Sequence, residues 1–155
     1  MPHAWYVWCV AWYDRDVHLT LHTRQSYRGQ LLTVGRWLLQ HHPAVTTPEA
    51  WDEDLALRYT SSVCTERVGE YVSPKEQSKL RAAGTLGAPL KPYSISAKLK
   101  AMTRFFVDLR NVPHAVDGQP ARRITLRFKP REAFATPRAI SKLLGPNPRD
   151  IDQEW

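Results

Sequence analysis

The chain of 155 residues has few cysteines and no long apolar run. Cys9 and Cys64 lie far apart and in no metal-binding spacing, which predicts two reduced thiols in a cytoplasmic protein. No apolar stretch approaches the roughly 20 residues that a membrane-spanning helix needs. The aromatic N-terminus lacks the basic region of a secretory signal peptide and soon reaches Asp14, Arg15 and Asp16. We therefore expect no membrane partner.

Motifs for catalysis, phosphate binding and metal binding are also missing. The sequence has no Gly-rich loop of the Walker or dinucleotide type, no H-E-x-x-H and no C-x-x-C. His18 and His22 have the helical spacing of two metal ligands, but no acidic residue lies between them, so neither a metal nor a cofactor is expected. A spatial Ser, His and Asp triad cannot be recognised in one sequence. The sequence therefore predicts a protein without a catalytic site of its own.

Acidic residues are scarce in one segment of the chain. Residues 1–90 carry nine Lys/Arg and nine Asp/Glu, whereas residues 91–131 carry ten Lys/Arg against only Asp108 and Asp117. Residues 132–155 carry three basic and four acidic residues, so the middle segment accounts for the net charge of +7. Such a concentration of positive charge predicts a polyanionic partner.

Apolar residues recur at helical spacing in much of the chain, which predicts an all-α fold. The predicted helices lie at residues 21–41, 47–64, 74–83 and 94–111. Their expected caps are Thr20 or Thr23 for the first helix, Thr47 for the second and Ser94 for the fourth. Strand patterns are weak, and "RITLRF" is the one alternating candidate.

Residues 1–18 form an aromatic extension, in which Trp5, Trp8 and Trp12 recur at steps of three and four. One interpretation is a stacking surface for nucleic-acid bases. The other is a helix or strand packed on the bundle, which the usual burial of aromatic side chains favours. Gly29 and Gly35 inside the first predicted helix likewise indicate close packing against another helix.

The chain becomes irregular after residue 113, where Pro, Gly and basic residues are frequent. Only "TPRAISKLLG" and "NPRDIDQEW" have the pattern of short helical turns there. We therefore expect a helical bundle at residues 19–112, followed by an extended basic linker from residue 113. The linker has few apolar residues to anchor it, so we expect it to be mobile.

Ten basic residues are the expected DNA contacts, because few acidic residues lie close to most of them in the sequence. Lys and Arg side chains of this kind contact phosphates and release the counterions of DNA. The alternative is a helical protein-interaction module whose basic face binds an acidic protein. The expected contacts are Arg24, Arg28, Lys91, Lys98, Lys100, Arg104, Arg122, Arg123, Arg127 and Lys129.

The order of these segments resembles the N-terminal core-binding domain of transposon-type tyrosine recombinases, the phage-integrase family. The resembling helices are "TRQSYRGQLLTVGRWLLQ", "TTPEAWDEDLALRYTSSV" and "SISAKLKAMTRFFVDLRN". "RFKPREAFATPRAISKLLGPNPRDI" resembles the linker that leads into the catalytic domain of such proteins. The resemblance implies a four-helix, SAM-like bundle that forms half of a clamp around duplex DNA during DNA integration and recombination. It also implies that the first and last helices of the bundle approach the DNA.

The sequence departs from the family in one respect. The family's catalytic Arg, Lys, His-x-x-Arg and Tyr lie in a C-terminal domain, and no His in this chain has an Arg three residues on. We therefore expect a DNA-binding module that does not cleave DNA, with residues 113–155 comprising the linker and the start of a missing catalytic domain. The resemblance further implies contacts between protomers on the DNA.

Overall fold

A computed structural model describes residues 1–15 and 19–144 of the chain. This part of the chain is mostly helical and contains isolated β-bridges but no β-strand, so the all-α prediction is confirmed. A 3₁₀ turn at Pro48–Ala50 is the remaining helical element. The α-helices are α1 (His3–Arg15), α2 (Leu21–His41), α3 (Glu53–Thr65), α4 (Pro74–Ala82), α5 (Pro92–Asn111), α6 (Pro130–Ala133) and α7 (Arg138–Leu144).

Helix α2 has the predicted bounds, and the side chain of Thr20 accepts a hydrogen bond from the backbone N–H of Thr23 at 3.2 Å. Helix α4 also lies where it was expected. Helix α5 starts two residues before the expected cap, because Pro92 occupies its first turn, where no backbone N–H is needed. The turn predicted in "TPRAISKLLG" is α7. The turn predicted at residues 147–155 lies outside the described residues.

The predicted start of the second helix is wrong. Thr47 makes no side-chain capping bond, and a short 3₁₀ turn follows it. Trp51 then has an extended backbone, which separates this turn from the α-helix. Helix α3 begins after Asp52, whose carboxylate accepts a hydrogen bond from the backbone N–H of Leu55 at 2.8 Å. Thr47 and Asp52 both have side chains suited to capping, and the local sequence alone did not decide between them.

Helix α1 packs its aromatic side chains into the core, as the favoured interpretation of the N-terminus predicted. Trp5, Trp8 and Trp12 are buried and belong to the same apolar cluster as the other helices. The indole N–H of Trp5 donates to the backbone carbonyl of Leu31 at 2.9 Å, and that of Trp12 donates to Asp108 at 2.9 Å. These three rings are therefore not a stacking surface for bases.

Close packing explains one of the two helical glycines. A Cβ atom on Gly35 would lie 2.7 Å from the side chain of Met1 and 2.9 Å from that of Trp5. The missing side chain therefore lets α1 lie against α2. A Cβ atom on Gly29 would meet nothing within 4 Å, so the packing prediction is wrong for Gly29.

Helix α5 is the central element of the core, in contact with α1, α2, α3, α6 and α7. Burial of its apolar stripe against these neighbours contributes much of the hydrophobic stabilisation, at about 25 cal/mol for each Å² removed from water. Five buried residues form the predicted stripe at helical spacing: Ile95, Leu99, Met102, Phe106 and Leu109.

The segment after α5 folds back onto the bundle, which contradicts the expectation of an extended, mobile linker. The backbone N–H of Ile124 donates to the carbonyl of Leu109 at 3.0 Å. Phe128 and Phe134 are buried, with ring centroids 5.1 Å and 5.6 Å from that of Phe106. A few apolar residues therefore anchor the segment, because each one enters the existing core.

The apolar and polar residues that alternate in "RITLRF" lie on opposite sides of an irregular segment, with the apolar side buried. Ile124 and Phe128 point into the core, whereas Arg123, Thr125 and Arg127 are exposed. No strand forms in this described segment, which makes only isolated backbone bridges to other parts of the chain. We call residues 113–132 the basic arm.

The structure also bears on the thiol and membrane expectations. Cys9 and Cys64 are both free, and burial raises the pKa of the Cys9 thiol far above its ordinary range. Within residues 1–15 and 19–144, no helix combines the length and apolarity that crossing a membrane requires.

Candidate nucleic-acid interface

A cleft of about 1140 Å³ lies between α2, α4, α5, α7 and the segment at residues 66–72. The side chains that line it include hydroxyl groups from α2, α5 and α7. They also include tyrosine rings from α2, α5 and residues 66–72. The inner part includes Gln30, Ser96 and the ion pair of Glu66 with Lys98. The cleft is thus a concave site that combines hydrogen-bonding groups with apolar and aromatic surface.

The segments that border this cleft carry half of the Lys and Arg residues of the protein. They comprise residues 21–33, 66–72, 74–82, 91–100 and 138–144, and we call them the cleft rim. The cleft rim has eleven Lys/Arg against three Asp/Glu, so its excess of eight exceeds the net charge of +7 of the whole chain. Its basic residues are Arg24, Arg28, Arg67, Lys75, Lys79, Arg81, Lys91, Lys98, Lys100, Arg138 and Lys142.

Two arginines of the cleft rim are held in place by α1. Arg24 and Arg28 are one helical turn apart on α2, and both guanidinium groups lie over the ring of Tyr13, at 5.2 Å and 5.4 Å from its centroid. Arg24 also donates to the backbone carbonyl of Tyr13 at 3.0 Å. Such contacts restrain two side chains that would otherwise be mobile.

Lys98 does not have the role that its sequence suggested. Its ammonium group lies 3.2 Å from the carboxylate of Glu66, and the two side chains are only 14% and 8% exposed. A buried charge needs a partner of this kind, and removing one member would leave the other unpaired in the interior. Lys98 is therefore committed to an ion pair within the cleft and is not a free phosphate contact.

Glu66 gives the stability of the protein a pH dependence. Burial raises the pKa of Glu66 above its ordinary value of 4.5, and the attraction of Lys98 opposes this rise without cancelling it. The folded chain therefore binds the proton more tightly than the unfolded chain does. The resulting stabilisation is complete below pH 4.5 and is lost as the pH rises through the raised pKa.

We expect the free energy of unfolding of the native protein, relative to a Glu66→Gln variant, to fall as the pH rises from about 4 to about 7. Denaturant unfolding of both proteins at several pH values measures this difference. The variant cancels the contributions of other titrating groups, because it retains them all. A difference that increases with pH would show that Lys98, rather than burial, dominates the pKa of Glu66.

Acidic residues that are distant in sequence offset the positive charge of the basic arm. Residues 113–132 carry five basic and two acidic residues, whereas residues 47–58 carry four acidic and one basic residue, so the two segments together are neutral. Arg122 donates to both carboxylate oxygens of Glu49 and lies over the ring of Trp8, 5.1 Å from its centroid. Glu49 and its neighbours therefore correct the expectation that acidic groups are absent around the arm.

Two further basic residues of the arm, Arg127 and Lys129, lie near acidic residues. Arg127 forms a backbone bridge with Asp52, at the start of α3. The ammonium group of Lys129 lies 4.0 Å from Glu132, in an exposed pair of the kind that contributes little to stability. Arg123 is exposed and makes no ion pair within the described residues.

Lys100 lies on the opposite side of α5 from Leu109, which the arm contacts. Lys100 and Leu109 are nine residues apart, which places them half a turn out of phase on an α-helix. Leu109 accepts the backbone bond from the arm, so Lys100 faces away from it. Arg104 lies four residues beyond Lys100 and donates to Asp108 at 2.8 Å.

The ten predicted DNA contacts therefore do not form one surface. The cleft rim contains Arg24, Arg28, Lys91, Lys98 and Lys100, and the other five lie outside it. Sequence reasoning also missed the basic residues of α4 and α7. The nine acidic residues within residues 1–90 concealed those of α4 in the regional charge count, and the four acidic residues within residues 132–155 concealed those of α7. The signal that could have found α4 is the local pattern "SPKEQSKLRAAG", which has three basic residues and one acidic residue.

Comparison of the chain with protein-family models, curated proteins and solved structures finds no match. The described residues contain no group of three or more His, Cys, Asp or Glu side chains that could hold a metal ion. The cleft and its rim are therefore the features from which a function can be argued.

Proposed function

We propose that this protein binds double-stranded DNA across the cleft rim and does not cleave it. The observation that carries the proposal is the charge of the rim, with eleven basic against three acidic residues. Duplex DNA presents a regular array of phosphates, and each Lys or Arg that neutralises a phosphate releases counterions. Five exposed lysines of the rim are suited to this role, since none makes an ion pair within the described residues: Lys75, Lys79, Lys91, Lys100 and Lys142.

The sequence resemblance supports a narrower proposal. Helices α2 to α5 would be the four-helix, SAM-like bundle of a tyrosine recombinase, and the DNA would be a recombination or integration site. The first and last helices of this set, α2 and α5, both border the cleft, which agrees with the approach to DNA that the resemblance implies. Strand cleavage would then belong to a C-terminal catalytic domain, which forms the other half of the clamp.

The test is a titration of the protein with a fluorescent duplex at increasing salt concentrations. We expect non-specific binding with a Kd of about 10⁻⁴ to 10⁻⁶ M at physiological salt, and a logarithm of affinity that falls linearly with the logarithm of salt. A single half of a clamp binds weakly because it lacks the tethered second contact. No binding at about 50 mM salt, or an affinity independent of salt, would favour an acidic protein as the partner.

A further inference from the structure

We propose that the cleft receives one unpaired nucleobase of the DNA that is bound at its rim. This inference rests on the proposed function and adds a ligand to the same site. The cleft volume of about 1140 Å³ exceeds the usual 300–1,000 Å³ of small-molecule sites, so a single nucleotide can enter. Because a paired base is stacked and held within the duplex, only an unpaired or extruded base can reach the inner walls.

The walls provide aromatic surface for such a base. Tyr27 stacks on Trp12, and the hydroxyl of Tyr71 lies 3.0 Å from a ring nitrogen of His41, so these two rings are held in place. Tyr93 differs, because it is 77% exposed at the start of α5 and makes no ring contact or hydrogen bond within residues 1–15 and 19–144. A base that stacks on Tyr93 would cover an aromatic ring that the fold leaves in water.

The inner part of the cleft provides a hydrogen-bond acceptor. The side-chain oxygen of Gln30 is buried and has no hydrogen-bond partner, which is uncommon for a buried polar atom. All four bases carry an N–H group on the edge used for pairing, and this group is free to donate when the base is unpaired. Gln30 lines the cleft, but less than 1 Å² of this oxygen is exposed, so its side chain must rotate before the oxygen can accept from an unpaired base.

The positions of the charges agree with this arrangement. Three acidic residues (Glu66, Glu70 and Glu76) and two basic residues (Lys98 and Lys100) line the cleft, so its walls do not favour a phosphate, whereas most of the exposed lysines lie on the segments around it. The backbone phosphates of a bound strand would contact the exposed lysines, and the uncharged base would enter between them.

The experiment compares two fluorescent duplexes of the same sequence, one intact and one with a short single-stranded gap. We expect the protein to bind the gapped duplex at least about fivefold more tightly, since stacking of one base is worth about that factor or more. Tyr93→Ala should remove this preference, so that the variant binds the two duplexes with equal affinity. Tyr93→Phe should retain the preference, because it keeps the ring. Tyr6→Ala is the matched control, since Tyr6 is an exposed tyrosine outside the cleft.

The outcomes separate this inference from the proposed function. Equal affinity for both duplexes would overturn the inference and leave DNA binding intact, whereas failure to bind either duplex would overturn both. A gap also makes DNA more flexible, which can favour binding without any base in the cleft. A preference that survives in Tyr93→Ala would therefore assign the effect to flexibility and contradict the inference.

Discussion

Replacing Phe134 with Ala is expected to lower the free energy of unfolding by about 3–5 kcal/mol. The Phe134 ring is only 2% exposed, and its centroid lies 5.6 Å from those of Phe106 and Phe128 and 6.2 Å from those of Trp51 and Tyr59. Removing the ring would leave a cavity where α5 and α3 meet the end of the basic arm, and these aromatic neighbours cannot collapse fully to fill it.

A hydrogen bond beside Phe134 adds to the coupling between the arm and the bundle. The hydroxyl of Thr60 on α3 donates to the backbone carbonyl of Ala133 at 2.8 Å. Loss of the ring should therefore loosen α6 as well as the core. Denaturant unfolding, followed by tryptophan fluorescence and by circular dichroism, measures the change.

The matched control for this prediction is Arg123→Ala, which alters an exposed arm residue without an ion pair in the described part of the chain. Its effect should stay within about 0.5 kcal/mol, as is usual for surface substitutions. If Phe134→Ala also changed the stability by less than about 0.5 kcal/mol, the segment after α5 would be a mobile linker after all.

Sequence reasoning succeeded where structure is determined locally. The extent of helix α2 could be predicted, because its apolar spacing and its two candidate caps, Thr20 and Thr23, lie within the helix or directly before it. The buried stripe of α5 follows from the same periodicity. The packing of Trp5, Trp8 and Trp12 could also be anticipated, since large aromatic side chains are usually buried.

Sequence reasoning failed where partners are distant in the chain. The neutralisation of the arm depends on Glu49 reaching Arg122, which is 73 residues away. The folding back of the segment after α5 depends on Ile124, Phe128 and Phe134, which are too few and too scattered to form a helical pattern. The cleft likewise requires α4 and α7 to border the same space as α5, and neither helix carries a signal for that placement.

The central claim is that DNA binds at the cleft rim and not along the basic arm. Two variants with four alanine substitutions each can separate these surfaces, because both lower the net charge from +7 to +3. Long-range electrostatic attraction therefore falls equally in both, and only the loss of specific phosphate contacts can differ. The rim variant changes Lys79, Lys91, Lys100 and Lys142. The arm variant changes Arg123, Arg127, Lys129 and Arg131.

The most direct measurement is the affinity of both variants for one duplex as a function of salt, after denaturant unfolding has shown that both are folded. The quantity to compare is the slope of the logarithm of affinity against the logarithm of salt concentration. We expect this slope in the rim variant to be smaller by about one unit for each lysine that contacts a phosphate, hence by up to about four units. At about 0.1 M salt its affinity should be about a thousandfold lower than that of the native protein. The arm variant should keep most of the native slope and affinity. The opposite result, with native binding by the rim variant and loss of binding by the arm variant, would contradict the claim.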